Sequence, residues 1–261
     1  MNYSLITGAC GGLGKAFCKE LYSRGENLFL VGRSEEKLEN LKNELSAYGN
    51  GDILYFALDL TKETERKKLY EFIFDKDLKF SALYNVAGVD IQKPFSDYTE
   101  EKIIFQTRVN LEATLSISRF VLERRAENFK LLTVSSMSGT LPMPYFAIYS
   151  ATKCALINFF TALRYEYKGK GVKITVLAPG GIPTRADIIE DIKIQGFTGK
   201  LSSKPAEFVV EKALKGLDKN KRLVIPGAFN KFVYILEKFA PVSIKCRYVA
   251  KKWSRKSKDA F

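Results

Sequence analysis

Thr7-Gly8-Ala9-Cys10-Gly11-Gly12-Leu13-Gly14 follows an apolar run at residues 3–7. It precedes a segment, residues 15–24, in which Ala16, Phe17 and Leu21 recur at helical spacing. A strand, a glycine-rich turn and a helix in that order build an anion site. The glycines let the backbone approach a pyrophosphate, and the helix N-terminus stabilises its charge. The spacing Gly-x-x-x-Gly-x-Gly is a variant of the usual dinucleotide fingerprint. A glycine-rich turn by itself is a weak signal. Its place between an apolar strand and a helix favours nucleotide binding over a bare turn.

Outward from that stretch, strand-like and helix-like segments alternate, the pattern of a parallel sheet with helices on both faces. Strands are expected at residues 27–31, 53–58, 82–86, 130–135 and 173–178, with a short last one at 223–225. The run at 27–31 is continuously apolar, as a strand buried on both faces requires. Helices are expected at 34–45, capped by Ser34 with Leu38, Leu41 and Leu45 inward, and at 61–74, 99–127, 149–168 and 205–218. Residues 185–204 break this rhythm with Gly196, Gly199, Ser202 and Ser203 among scattered apolar residues, and are read as a mobile substrate lid. No internal repeat, low-complexity tract or linker interrupts the chain. The expectation is one doubly wound, Rossmann-type α/β domain over residues 1–261, with 227–261 as a basic amphipathic extension.

Composition removes several chemistries. The 261 residues contain no histidine, which excludes Ser-His-Asp and Cys-His catalysis and His-ligated metal sites, and no metal is expected. Cys10, Cys18, Cys154 and Cys246 form no Cys-x-x-Cys and are read as reduced thiols. No apolar run reaches the roughly 18 residues of a membrane span, and the first residues do not resemble a signal peptide, so a cytoplasmic location is expected. The net charge of +13 is uneven: residues 221–261 hold eleven Lys/Arg against two Asp/Glu, a surplus of nine.

With histidine absent, a tuned tyrosine is one of few acid–base groups left near neutral pH. Tyr-x-x-x-Lys places both side chains on one helix face, and it occurs at Tyr98/Lys102, Tyr149/Lys153, Tyr234/Lys238 and Tyr248/Lys252. Only Tyr149/Lys153 follows an apolar strand-like run, Leu131-Leu132-Thr133-Val134, that ends in Ser135-Ser136. A free tyrosine has a pKa of about 10. The expectation is that Lys153 favours the phenolate and lowers that value, so that Tyr149 exchanges a proton with a substrate oxygen.

Thr7-Gly8-x-x-x-Gly12-x-Gly14, Asp59-Leu60, Asn85-Val86-Ala87-Gly88, Asn110, Ser136, Tyr149-x-x-x-Lys153 and Pro179-Gly180 together resemble the short-chain dehydrogenase/reductase family, to about residue 226. Ser136 lies thirteen residues before Tyr149, which matches the family's interval; Ser135 is read as the strand end. The resemblance implies that Tyr149 is the general acid and that Ser136 holds the carbonyl oxygen. It implies that Lys153 also bonds the nicotinamide ribose and that Asn110 keeps a water behind it, the plain alternative being a helix surface residue. Thr7, Gly8, Gly12, Leu13 and Gly14 would cradle the cofactor. Asp59 and Leu60 would lie at the adenine, although Asp59 could simply cap the next helix. Asn85, Ala87 and Gly88 would lie beside the cofactor, Pro179 and Gly180 beneath the nicotinamide, and Ile182 and Thr184 near its carboxamide. Where the family usually has Asn-Asn-Ala-Gly, this chain has Val86 at the second position.

The second strand ends Val31-Gly32-Arg33-Ser34, with no acidic residue to bind a ribose 2′-hydroxyl. Arg33 and Ser34 suit a 2′-phosphate, so NADP(H) is the expected cofactor. Met137, Leu141, Pro142, Met143 and Phe146, with Ile188, Ile189 and Phe197 of the lid, would suit a lipophilic ketone or alcohol. The alternatives are a 3-oxoacyl reductase of lipid metabolism and a non-catalytic dinucleotide-binding regulator. Phe229, Phe232, Val233, Leu236 and Ala240 follow helical spacing, and Ile244, Tyr248 and Trp253 continue beyond Pro241. That region is expected to serve association and not chemistry. Packing on the lid or on a subunit of a dimer or tetramer is the first reading, an anionic membrane the second, and nucleic acid is not expected.

Overall fold

Seven strands form one parallel sheet in the computed structural model, which describes residues 1–194 and 196–254. They are β1 Asn2–Thr7, β2 Asn27–Gly32, β3 Ile53–Ala57, β4 Lys79–Asn85, β5 Arg125–Val134, β6 Val172–Leu177 and β7 Leu223–Val224. The order is β3-β2-β1-β4-β5-β6-β7. Side chains alternate across the pleat and fill two cores. Ile6, Leu28 and Leu30 face one layer, built from α1 Gly12–Ser23, α2 Glu35–Leu45 and α9 Ala206–Asp218. Leu5, Phe29 and Val31 face the other, built from α3 Glu63–Asp75, α5 Ala113–Glu123 and α6 Ala147–Glu166. The doubly wound arrangement follows from burial on both faces.

The crossing order reverses between β1 and β4, and a crevice opens there at the carboxyl ends of the strands. Thr7 closes its floor: its hydroxyl accepts from the N–H groups of Val86 at 3.1 Å and Ala87 at 3.2 Å. The glycine turn is also tied to β2, since Ala9 N–H donates to the Val31 carbonyl.

Three expectations about elements need correction. The helical region at 99–127 ends at Glu123 and is three pieces: α4 Glu100–Thr107, a π-helical turn Arg108–Glu112, and α5. Strand β5 starts at Arg125, five residues before the expected position. Its first residues are mostly solvent-facing and include Arg125 and Glu127, so no apolar alternation marked them. The segment expected to form a lid contains two helices, α7 Ala186–Ile194 and α8 Gly196–Ser202; Gln195 lies outside the described residues. Beyond β7 come α10 Ala228–Phe239 and α11 Val242–Trp253; residues 255–261 of the expected extension lie outside the described residues.

Candidate active site

Three glycines shape the turn between β1 and α1, and each is required by a close approach. Gly8 has φ +69°, and a Cβ there would lie 2.8 Å from the Ala87 backbone. On Gly12 it would meet Thr184 at 2.3 Å, and on Gly14 the Gly8 carbonyl oxygen at 2.1 Å. Larger residues would collide with these neighbours and displace the turn, whose bare backbone is what a pyrophosphate approaches in such a fold. Leu13 lines the adjoining cavity. Ser34 caps α2 by accepting from Lys37 N–H at 3.3 Å, so its hydroxyl proton is still available to an acceptor. Arg33, beside it, is exposed.

The other cofactor candidates divide between the cleft and its supports. Asp59 accepts from Thr61 N–H at 2.9 Å and its hydroxyl at 2.8 Å, organising the entry to α3. The Leu60 carbonyl accepts from buried Arg66, which reaches on to Glu112 in the π turn. Asn85 donates to Ser118 at 2.8 Å and Thr133 at 3.2 Å, so its side chain serves the core between β4, β5 and α5. Gly88, Pro179, Gly180, Ile182 and Thr184 line the cavity. The Pro179 carbonyl accepts from Met137 N–H, joining that loop to the one carrying Ser136.

The strongest convergence is around Lys153. Its ammonium is buried and donates to the Val134 carbonyl at 2.9 Å. A Cβ on Gly88 would come within 3.1 Å of that nitrogen and 3.4 Å of Asn110 Oδ1. Asn110 is fully buried in the π turn, not on the helix surface. Its amide oxygen accepts from Val89 N–H at 2.8 Å, and its nitrogen donates to the Val89 carbonyl at 2.9 Å and Thr152 at 3.2 Å. It therefore clamps the loop after β4 onto α6. Ser135 spends its hydroxyl on the Lys153 carbonyl at 2.8 Å. Ser136 instead faces the cavity, its oxygen accepting from Ser138 N–H, and it lines that cavity together with Tyr149.

Tyr149, Lys153 and Ser136 meet at one cavity of about 330 Å³. Phe146 stacks on Tyr149 with ring centroids 4.4 Å apart, and Trp253 of α11 stacks on Phe146 at 6.1 Å. Burial pushes the Tyr149 phenol up, and the Asp90 carboxylate adds to the rise; the neighbouring Ser136 hydroxyl and the charge of Arg185 oppose it. Burial pushes Lys153 down to about 8, against the pull of Asp90. The expected lowering of Tyr149 by Lys153 is thus corrected. The lysine lies 5.7 Å from the ring centroid and is tied to a carbonyl, while the ring is desolvated under Phe146.

Several residues that line or support the cavity had no signal in the sequence. Asp90 follows the Gly88 motif and pairs with Arg185 at 2.9 Å, and Arg185 also holds Asp187 at 2.9 Å. Asn230 of α10 accepts from Ser202 Oγ at 2.8 Å and donates to the carbonyls of Ser202 and Pro226, fixing α8 under the end of β7. Trp253 lines the cavity from the far end of the chain. The region after residue 226, expected to serve association and not chemistry, thus also supplies one side chain to the cavity wall. Of the expected substrate contacts, Met137, Phe146 and Ile188 line the cavity; Leu141 and Met143 pack behind Phe146, and Ile189 and Phe197 are exposed.

Seven parallel strands around a dinucleotide cradle, with a Tyr/Lys pair at its edge, place the molecule among Rossmann-type oxidoreductases that use a nicotinamide dinucleotide. A solved structure described as "Structural and biochemical insights into 7beta-hydroxysteroid dehydrogenase stereoselectivity" superposes with a TM-score of 0.83 at 25% identity, covering 95% of this chain and 96% of that one. The family model described as short chain dehydrogenase matches residues 2–191, and the chain belongs to that family. The very-long-chain 3-oxoacyl-CoA reductase of Mus musculus is 31% identical over 224 residues, 82% of this chain and 68% of that protein. The inactive hydroxysteroid dehydrogenase-like protein 1 of Homo sapiens is 33% identical over 188 residues, 70% of this chain and 56% of that protein.

Proposed function

We propose that this chain reduces a lipophilic ketone to a secondary alcohol with NADPH, Tyr149 supplying the proton. The observation that carries the reading is the convergence of Tyr149, Lys153 and Ser136 on one cavity beside the glycine turn, with Lys153 anchored to the Val134 carbonyl. When bound, the nicotinamide supplies the hydride. Tyr149 gives its proton to the carbonyl oxygen, and the Ser136 hydroxyl donates to the same oxygen as negative charge develops there. Lys153 holds a positive charge behind the ring, which stabilises the phenolate left after transfer. Asn110 keeps α6 and the loop after β4 in register beneath that pair. Arg33 and Ser34 favour NADP over NAD through a 2′-phosphate.

A 3-oxoacyl thioester is the second substrate reading, supported by the name of the mouse relative. The name of the human relative raises the non-catalytic reading. Asn110, Ser136, Tyr149 and Lys153 all present in one site speak for catalysis.

The test follows NADPH absorbance with ketosteroids, aromatic ketones and long-chain 3-oxoacyl thioesters. Turnover of at least one class, slower with NADH, is expected. NADPH binding without turnover of any class would move the protein to the regulator reading. Turnover confined to the thioesters would select the second substrate reading.

A further inference from the structure

Helix α10 turns its apolar side outward. Phe232, Ile235, Leu236 and Phe239 recur at helical spacing on one face, and all are exposed, Phe232 at 58% and Phe239 at 81%. The buried residues of the same helix are polar, Asn230 and Glu237. Past the turn at Pro241, Val242, Ile244 and Tyr248 continue the exposed apolar surface along α11. The lid adds Phe197, 76% exposed. Helix α8, which carries Phe197, is bonded to α10 through Asn230 and to α11 through Lys252 and Thr198. The apolar side chains therefore belong to three helices that pack together, and a patch of this size is rare on a monomer with nothing to cover it.

The charges around it have one sign. Among residues 228–254 the only carboxylate is Glu237, which is buried, while Lys231, Lys238, Arg247 and Lys251 are exposed. We propose that α10, α11 and α8 form a docking face for an anionic lipid bilayer. Outward aromatic and aliphatic tips enter the headgroup boundary by about 5–10 Å while lysines and arginines meet the anionic headgroups. A second copy fits less well. A two-fold interface sets a patch against itself, which would oppose Lys231, Lys238, Arg247 and Lys251 to the same four charges. No helix among the described residues is long and apolar enough to cross a membrane, so the face lies on the surface. Because Trp253 on α11 lines the catalytic cavity, docking sets that cavity about one helix diameter, ~10 Å, from the lipid. The proposal rests on exposure and charge and does not depend on which reaction the cavity supports.

The experiment is co-sedimentation of the full chain with vesicles of phosphatidylcholine alone and of phosphatidylcholine with phosphatidylglycerol, at low and high salt. The wild type should pellet with the anionic vesicles at low salt and be released at high salt. Phe232→Ser/Phe239→Ser should weaken partitioning by about tenfold or more, and Lys231→Glu/Lys238→Glu should weaken it at low salt only. Unchanged NADPH binding by each variant shows that it is folded. A wild type that stays in the supernatant in every condition overturns the proposal. So does equal partitioning of wild type and the Phe variant. A concentration-dependent dimer abolished by the Phe variant, with no vesicle binding, assigns the face to a second copy and also overturns it.

Discussion

Tyr149 and Lys153 are both desolvated, and burial acts on them in opposite directions. The phenol is pushed up and held protonated; the ammonium is pushed down to about 8 from an ordinary 10.5. Tyr149→Phe keeps the ring and its stack on Phe146 but removes the proton. Turnover should fall by about 10²–10⁴-fold with NADPH affinity unchanged, measured by single-turnover kinetics and titration; a near-normal kcat would sink the assignment. The lysine shift is also a stability statement. Between pH 8 and 10.5 the unfolded chain binds a proton that the native Lys153 has lost, so stability from this group is lowest below pH 8. It rises with pH to its full value above 10.5, by about 3 kcal/mol. Lys153→Met should therefore resist denaturant better than the wild type at pH 7 in the absence of cofactor. Its advantage should shrink as pH rises towards 10.5. An advantage independent of pH would mean the buried charge is not its source. At the cradle's outer edge, Arg33→Asp should weaken NADPH by about 10- to 150-fold and narrow or reverse the preference over NADH, since an acidic residue there can accept from the ribose 2′-hydroxyl, as read by their dissociation constants.

Among elements, the ones that complete the site come from outside the alternating strand–helix pattern. The π turn at Arg108–Glu112 widens the helix where Asn110 must reach Val89 and Thr152, and π turns often mark functional positions. Helix α11 returns across the mouth of the cavity and stacks Trp253 on Phe146. Such an aromatic pair is worth about 0.5–1.5 kcal/mol beyond the area it buries. Trp253→Ala should raise KM for the carbonyl substrate by about 2- to 10-fold, with little change in NADPH affinity. A KM equal to wild type would show that α11 does not shape the cavity. Trp253 is the sole tryptophan of the chain, so its emission reports on α11 directly. Substrate binding should shift that emission, and an unchanged spectrum at saturation would argue against its place in the wall.

At the scale of the whole molecule, the crevice between β1 and β4 is where a bound dinucleotide would couple to the stability of the fold. A ligand that binds only the folded state adds about 2.7 kcal/mol at a hundredfold excess over its Kd. NADPH should accordingly raise the melting temperature more than NADH at equal concentration; equal shifts would count against the 2′-phosphate reading of Arg33 and Ser34. The doubly wound sheet and the glycine cradle were legible in the chain itself, because both rest on local properties. Apolar runs such as residues 28–31 are buried wherever they lie, and Gly8 and Gly14 are demanded by the Ala87 backbone just after a neighbouring strand and by the turn itself, Gly12 by the more distant Thr184. The Tyr149/Lys153 spacing marks one helix face for the same reason. The start of β5 was not legible, since Arg125 and Glu127 face solvent and carry no alternation. Nor was the contact of Asp90 with Arg185, ninety-five residues apart. The direction of the Tyr149 shift was decided by Phe146 above the ring and Asp90 beside it, and the place of Trp253 by how α11 folds back over the lid. Local pattern determined which segments are buried and which side chains share a face. Desolvation, charge pairing and the closing of the cavity depend on distances between remote segments, and only the packed structure decided those.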